Sequence, residues 1–158
     1  MKLISREEDR TLWYIHEVDR EGLLLLLEAG SSRPGRRPEV SRESPDLNQR
    51  LRDDLSECLE EKRVANHANL AASLRDPLRC VEGKGGFAWI LTHGEMEQLL
   101  QGLNAMRISA WERLGCPDPN EGLDLESMEL GSEVLLDGWI LELASRFQTR
   151  VLHGLENG

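Results

Sequence analysis

The stretch FAWILTHGEMEQLLQGLNAMRISAWERLG, residues 87 to 115, contains a complete unit of β-strand and α-helix. Its first five residues are aromatic, apolar or β-branched, which is typical of a buried strand. Thr92 and Glu95 then form a capping box, in which each side chain accepts a hydrogen bond from a free amide at the start of a helix. Apolar residues follow at helical spacing, and Gly115 supplies the stop. The stretch therefore predicts a strand that leads directly into a capped helix.

A similar unit occurs near the start of the chain. The row LWYIHEV, residues 12 to 18, is rich in aromatic and β-branched residues and predicts a strand that can pair with residues 87 to 91. Asp19 is suited to cap a helix over residues 21 to 29, and Gly30 is suited to end it. A strand followed by a capped helix thus occurs twice. This suggests a structural repeat, although the residues of the two units are not identical.

Two further helices complete the predicted architecture. Ser44 and a following proline open a helix over residues 45 to 74, whose leucines recur at steps of four. Its apolar stripe drifts, so we expect a kink or break near Asn66. Ser132 caps a last helix that has the most regular apolar period in the chain and ends near Leu155.

The composition agrees with a mainly helical protein. The chain has 158 residues, of which 39% are hydrophobic, and this size fits one domain. Leucine occurs 28 times, whereas isoleucine and valine together occur 11 times, which favours helix over strand. The predicted fold is a bundle of about four helices with a minor two-stranded β-sheet, in one domain over residues 1 to 158. A flexible loop rich in Arg, Pro and Ser is expected at residues 30 to 44.

The charge argues against nucleic acid as a partner. Lysine and arginine total 19 against 29 acidic residues, which gives a net charge of −10. An acidic surface repels polyphosphate, whose binding depends on cationic neutralisation. The loop at residues 30 to 44 is the local exception, because it holds four arginines and two glutamates.

The cysteines and the apolar runs indicate a compartment. Cys58, Cys80 and Cys116 are odd in number and widely spaced, which argues against a disulfide framework and a zinc site. The longest apolar run is the five leucines at residues 23 to 27, too short to cross a membrane. The sequence predicts a cytoplasmic protein that has no membrane association and no cofactor.

No catalytic motif is present in the sequence. The residues EGKGG at 82 to 86 superficially resemble a phosphate-binding loop, but the required Lys-Ser/Thr pair and following helix are missing. A turn between two strands is the simpler interpretation. The four histidines are scattered singly, and no nucleophile elbow occurs. We therefore expect no catalytic residues and no metal ligands.

Arg107 is the most informative polar residue, because it falls within the apolar stripe of its helix, with Asn104 at the edge of that stripe. A buried unpaired cation costs several kcal/mol, so a guanidinium there needs a partner. One interpretation is an internal ion pair that Arg107→Ala would break at a cost of about 3 to 5 kcal/mol. The other is binding to a carboxylate of a ligand or partner. The acids considered for the internal pair are Asp53, Asp54, Glu57, Glu133 and Asp137.

Asn66, His67 and Asn69 form a second polar interruption, in the helix over residues 45 to 74. A hydrogen-bonded contact between helices is the expected role for this group. The tryptophans are expected to anchor the core, and any that lies on the surface would mark an interface. They are Trp13, Trp89, Trp111 and Trp139.

The segment LLQGLNAMRISAWERLG resembles a bacterial family of unknown function, known best from actinobacteria (the domain of unknown function numbered two thousand and seventeen). The family pattern Leu-Asn-x-x-Arg with a closing Arg-Leu-Gly falls on Leu103, Asn104, Arg107, Arg113, Leu114 and Gly115. The C-terminal ELASRFQTRVLHGL resembles the family's final helix, with Gln148 on a recurrent glutamine. The resemblance implies a small helical protein. In actinobacteria, the gene of a member of this family often lies beside the gene of an adaptor of the Clp protease. This chain differs in its abbreviated first helix and Arg-rich insertion.

These features predict a non-enzymatic cytoplasmic interaction or regulatory protein, such as an adaptor. Its partner is another protein or a second copy of itself, because the leucine run and the last helix present more apolar surface than one small domain covers. The alternative is a small-molecule or metal-binding enzyme with a site around Arg107 and Asn104, to which His67 or His93 contributes.

Overall fold

The computed structural model describes residues 1–32, 47–118 and 132–157. Within these residues the chain forms two successive units, each made of a β-hairpin followed by two helices. In chain order the elements are β1 (Lys2–Arg6), β2 (Arg10–Ile15), α1 (Glu17–Ser32), α2 (Leu47–Arg75), β3 (Cys80–Gly83), β4 (Gly86–Thr92), α3 (His93–Arg113) and α4 (Glu133–Asn157).

The four strands form one antiparallel sheet in the order β1-β2-β4-β3. The predicted pairing of the two recognised strands is confirmed, and Trp13 lies opposite Trp89 at the centre of the sheet. The expectation of a bundle with only a minor two-stranded sheet is wrong. The two outer strands were missed because β1 has five residues and β3 has four, and most of their residues are exposed, so neither shows a recognisable apolar pattern. Each is held by its hairpin partner rather than by a pattern of its own.

The helices cover one face of this sheet. Along β2, Thr11, Trp13 and Ile15 are buried, whereas the alternate side chains Leu12 and Tyr14 are only half-buried. Because successive side chains of a strand point to opposite faces, the core lies on the side of Trp13. The fold therefore has two layers, a sheet and a helical layer, with the core between them.

The repeat suggested by the sequence is present in the topology. Each hairpin supplies one central strand and one edge strand, so the two units meet at the β2–β4 pair. Trp13 and Trp89 are both 0% exposed and fill the core on either side of this junction. Their indole N–H groups donate to Thr11 Oγ1 at 2.8 Å and to Ser73 Oγ at 3.1 Å. Both buried indole nitrogens therefore have a hydrogen-bond acceptor.

Helix α1 differs from the prediction at both ends. It begins at Glu17, so Asp19 lies in its first turn and does not cap it. The Asp19 carboxylate accepts hydrogen bonds from the N-terminal amine at 3.1 Å and from Arg150 at 2.7 Å. Gly30 does not end the helix, which continues to Ser32. A Cβ at Gly30 would lie 2.5 Å from the sulfur of Met106, so this glycine permits close helix packing.

Other local predictions are confirmed. The Thr92–Glu95 capping box is present, Gly115 follows α3 with φ of 80°, and the Ser132 hydroxyl accepts from the amide of Leu135. The turn at residues 84 and 85 joins β3 to β4, as the simpler interpretation of the glycine-rich segment required. Helix α2 is continuous through Asn66, so the expected break is absent. Of the predicted loop, residues 30 to 32 belong to α1 and the remainder lies outside the described residues.

Candidate functional site

Arg113 and Asp137 fix how α3 and α4 pack. The Arg113 Nε lies 3.0 Å from both carboxylate oxygens of Asp137, and its Nη2 lies 2.9 Å from Oδ1. This contact joins the end of α3 to the start of α4, and the two helices then pack antiparallel along their length. At 1.5 Å rise per residue, Arg107 lies at the level of residues 143 and 144, and Asn104 within a turn of Gln148.

Arg107 has no acidic partner in the described part of the chain. Its Nη2 donates to Asn104 Oδ1 at 3.0 Å. Its Nε is buried and makes no hydrogen bond, and no carboxylate of a described residue lies within 4.0 Å of the guanidinium. The prediction of an internal ion pair is therefore wrong. Asp137 binds Arg113 instead, and the other acids considered lie on exposed positions, namely Asp53, Asp54, Glu57 and Glu133.

The other half-buried arginines among the described residues all have a strong acceptor. Arg79 donates to both carboxylate oxygens of Glu95, at 2.8 and 2.6 Å. Arg20 donates twice to the carbonyl oxygen of Leu74 and lies 4.5 Å from the centre of the Phe87 ring. The remaining two pairs are Arg63 with Glu60 and Arg150 with Asp19. Arg107 shares with Arg20 the lack of a carboxylate partner among the described residues, but it makes one hydrogen bond, to a side-chain amide, where Arg20 makes two and lies over the Phe87 ring.

The five polar residues singled out in the sequence fall into two places. Asn104 and Arg107 are in contact on α3, and Gln148 is half-buried on the side of α4 that carries Asp137, three turns further along. Asn66 and His67 lie on α2, where Asn66 is half-buried and His67 is 1% exposed. We call the first group, Arg107, Asn104 and Gln148, the Arg107 site.

His67 lies against two glycines of neighbouring helices. A Cβ at Gly30 of α1 would lie 2.8 Å from its Nδ1, and a Cβ at Gly102 of α3 would lie 2.6 Å from its Nε2. Gly102 is five residues from Arg107, which is about 140° around α3, so His67 and the Arg107 site are on different sides of that helix. The close packing requires glycine at both positions, a signal that the sequence contained and the prediction overlooked.

Neither ring nitrogen of His67 makes a hydrogen bond of normal geometry to a described residue. The counterpart of the expected contact between helices is the carbonyl of Gly30 on α1, which acts on the ring without a hydrogen bond of normal geometry. Burial is the main cause that lowers its pKa from 6.5 to about 4, and the positive charge of Arg63 acts in the same direction. The nearby carbonyl of Gly30 and the charge of Glu60 oppose the shift only in part. His67 is consequently a neutral side chain at pH 7.

An exposed apolar face lies between α1 and α4. Contacts of Asp19 with Arg150 and of Gly22 with Phe147 show that these helices are antiparallel. Their register brings the second half of α1 beside the first half of α4. There Leu25 is 66% exposed, Leu136 44% and Trp139 49%. We call this surface the α1–α4 face, and define it by Leu25, Leu136 and Trp139 with the charged residues Glu21 and Arg146 at one end.

The exposures divide the aromatic and leucine anchors expected in the core. Trp13 and Trp89 are fully buried, whereas Trp111 and Trp139 are 37% and 49% exposed. The leucine run does not require burial on all sides either, since Leu25 points to solvent. Trp111 and Trp139 are therefore the two tryptophans to which the expectation of an interface applies.

Within residues 1–32, 47–118 and 132–157, the structure shows neither a metal-binding cluster nor a helix suited to cross a membrane. No group of three His, Cys, Asp or Glu side chains in these ranges is arranged to hold a metal ion. None of the helices there combines the length and the apolar character that a membrane crossing requires. Cys58, Cys80 and Cys116 are free thiols.

Comparison with protein-family models, with curated protein sequences and with solved structures gave no match for this chain. The resemblance to the actinobacterial family therefore stays a prediction. Any function has to follow from the geometry of the chain's own residues.

Proposed function

We propose that this protein is a non-enzymatic interaction or regulatory protein of the cytoplasm that works as a homodimer through the α1–α4 face. The observation that carries the proposal is the exposure of Leu25 on α1 and of Leu136 and Trp139 on α4, the helix that packs beside it. Partly exposed tryptophan is the residue type most enriched at the centres of protein interfaces. Three free thiols fit the reducing cytoplasm that the proposal names.

The charges of the α1–α4 face are self-complementary. Glu21 on α1 and Arg146 on α4 are exposed, and neither has an ion-pair partner among the described residues. A two-fold axis parallel to the helices places α1 of each protomer on α4 of the other, at an unchanged level along the helix. Leu25 then meets the apolar side chains around Trp139, and Glu21 approaches Arg146 of the second copy. The same contacts occur twice, as an isologous interface requires.

Sedimentation equilibrium at high micromolar concentration tests the proposal. We expect a dimer for the wild type and a monomer for Leu25→Glu and for Trp139→Glu. Leu78→Glu is the matched control, because Leu78 is 82% exposed outside this face and should leave the dimer intact. A monomeric wild type, or a control that dissociates as readily as the two variants, would overturn the proposal.

A charge exchange tests the orientation of the two copies. Glu21→Arg or Arg146→Glu alone should weaken the dimer, since each places like charges opposite one another. The double variant restores opposite charges and should recover most of the wild-type association. Failure of the double variant to recover would exclude the two-fold arrangement with α1 on α4.

A second candidate function is small-molecule chemistry at the Arg107 site. It is favoured by one observation, the half-buried guanidinium of Arg107 without a carboxylate partner in the described part of the chain. A metal-dependent form has no support there, because the described residues contain no metal-binding cluster. The binding component of this candidate can be argued further from the same contacts.

A further inference from the structure

We propose that Arg107, Asn104 and Gln148 bind the carboxylate of a small organic acid. The inference rests on the second candidate function and is independent of the α1–α4 face. Gln148 and Trp139 are nine residues apart on α4, which is about 180° around the helix, so the two surfaces lie on opposite sides of it.

The first argument is that the guanidinium of Arg107 has more hydrogen-bond donors than the described residues have acceptors for it. Arginine has five N–H donors and cannot lose its charge in a protein. One donor of Arg107 is used, on Asn104, while Nε is buried without a partner. The side chains one turn away along α3 supply no acid either, since they are Leu103, Ala110 and Trp111. Since no carboxylate of a described residue lies within 4.0 Å of this guanidinium, an anion from outside would neutralise it at close range.

The second argument is the choice of ligand by its hydrogen-bonding chemistry. The Asn104 oxygen accepts from Arg107, which leaves the amide nitrogen of Asn104 as a donor on the same side. Guanidinium and amide N–H groups together present donors to a ligand that only accepts. An ionised carboxylate has two acceptor oxygens with the spacing of the guanidinium fork, and such bidentate contacts are the strongest of their kind. Gln148, which is half-buried on α4 within a helical turn of the level of Asn104, is the residue of that helix placed to add a donor.

The third argument concerns size and the body of the acid. The net charge of −10 repels extended polyanions, so the ligand should carry few charges. Trp111 follows Arg107 by one helical turn, is 37% exposed, and has its indole N–H bound to the carbonyl oxygen of Pro117 at 2.9 Å. This hydrogen bond fixes the orientation of an apolar ring one helical turn from Arg107. A small acid with an apolar or aromatic group therefore fits better than acetate.

The test is a titration of the whole protein with sodium benzoate, sodium acetate and inorganic phosphate at constant ionic strength, followed by two-dimensional amide NMR. We expect saturable shifts at residues 104 to 111 with benzoate, and at least about tenfold weaker binding of acetate, the smaller carboxylate. Arg107→Met should weaken benzoate binding at least about tenfold, because a charged, bidentate contact is lost. Arg6→Met, at an exposed arginine of β1 that belongs to neither surface, should bind benzoate like the wild type.

Two further variants keep the test decisive. Arg107→Lys retains the charge without the planar fork and should bind benzoate with intermediate affinity. Asn104→Leu should weaken binding while leaving dimer formation in sedimentation unchanged, which separates this proposal from the α1–α4 face. The proposal is overturned if benzoate does not saturate, if phosphate binds in preference to carboxylate, or if Arg107→Met binds like the wild type. A folded spectrum of each variant is required for its titration to count.

Discussion

Two arginines of α3, six residues apart, have opposite surroundings. Arg113 holds the buried carboxylate of Asp137 through two hydrogen bonds from Nε and an ion pair from Nη2. Arg107 holds only the amide of Asn104. The difference comes from α4, which presents an aspartate at the level of Arg113 but only leucine and alanine, at residues 143 and 144, at the level of Arg107. Arginine thus joins two helices at position 113, whereas at position 107 it has no carboxylate partner among the described residues.

A parallel contrast occurs on α2. Arg63 donates to Glu60 one turn earlier, whereas His67, one turn later, is buried against two glycines without a hydrogen bond to a described residue. In both helices the paired arginine is the more exposed of the two groups. The Arg113–Asp137 pair joins α3 to α4, whereas we expect stability and binding to respond to conditions at the groups without an ionic partner.

The largest effect should follow from breaking the paired arginine. Arg113→Met leaves the buried carboxylate of Asp137 without this partner, and we expect a loss of about 2 to 3 kcal/mol in the free energy of unfolding, no more than the low end for a buried pair because Arg113 is partly exposed. Urea denaturation measures this loss. The control is Glu28→Ala, which breaks the exposed pair of Glu28 with Arg75 and should cost less than about 1 kcal/mol. Equal losses in the two variants would contradict a structural role for Asp137.

The next effect is the pH dependence caused by His67. Its folded pKa of about 4 lies below the ordinary 6.5, so the unfolded chain binds more protons between these values. The contribution of His67 to stability is therefore present above pH 6.5 and is lost as the pH drops towards 4, by roughly 2 to 3 kcal/mol at pH 4.5. Urea denaturation at pH 7.0, 5.5 and 4.5 measures the slope.

His67→Gln is the control for this slope, because glutamine does not titrate. Between pH 7 and pH 4.5 the free energy of unfolding of His67→Gln should fall much less than that of the wild type. This holds whatever the stability of the variant at pH 7. Below that range both proteins should still lose stability, since the folded pKa values of Asp19 and Glu95 are lowered by their hydrogen-bonded cationic partners against the opposing effect of burial. An unchanged slope in His67→Gln would show that His67 is not the titrating group.

A smaller effect is expected at the glycine that accommodates His67. In Gly102→Ala the new Cβ would lie 2.6 Å from His67 Nε2, so the ring or the helix must shift. Overpacking of this kind costs about 1 to 3 kcal/mol, and the better helix propensity of alanine offsets about 1 kcal/mol of that. Gly94→Ala is the matched control on α3, because nothing lies within 4 Å of its Cβ and its melting temperature should not fall. A variant Gly102→Ala as stable as Gly94→Ala would contradict the tight contact.

The smallest effect should follow from removing the guanidinium of Arg107. Arg107→Met strands no carboxylate and relieves the buried Nε of its missing partner, so its stability should stay within about 1 kcal/mol of the wild type. This replaces the loss of about 3 to 5 kcal/mol expected for an internal ion pair. Arg113→Met is the comparison, and should lose about 2 to 3 kcal/mol because Asp137 remains buried. If thermal melting shows equal losses for the two, Arg107 has an acidic partner after all.

The sequence by itself determined the features that depend on neighbouring residues. The capping box at Thr92, the cap at Ser132 and the glycine after α3 each satisfy backbone groups within one helical turn, so their residues are visible in a short stretch of sequence. The central strands were equally visible, because β2 and β4 carry enough aromatic and β-branched residues to be recognised alone. Arg107 was recognised as unusual for the same reason, since its place in an apolar stripe needs only helical spacing.

The tertiary structure alone decided which partners those residues have. The edge strands β1 and β3 exist because a hairpin partner supplies their hydrogen bonds. The register of α3 on α4 gives Asp137 to Arg113 and leaves Arg107 with an amide. The exposure of Leu25 depends on which side of α1 the sheet and the other helices cover. These outcomes join residues far apart in the chain, so they are fixed by how the layers pack and by no local pattern.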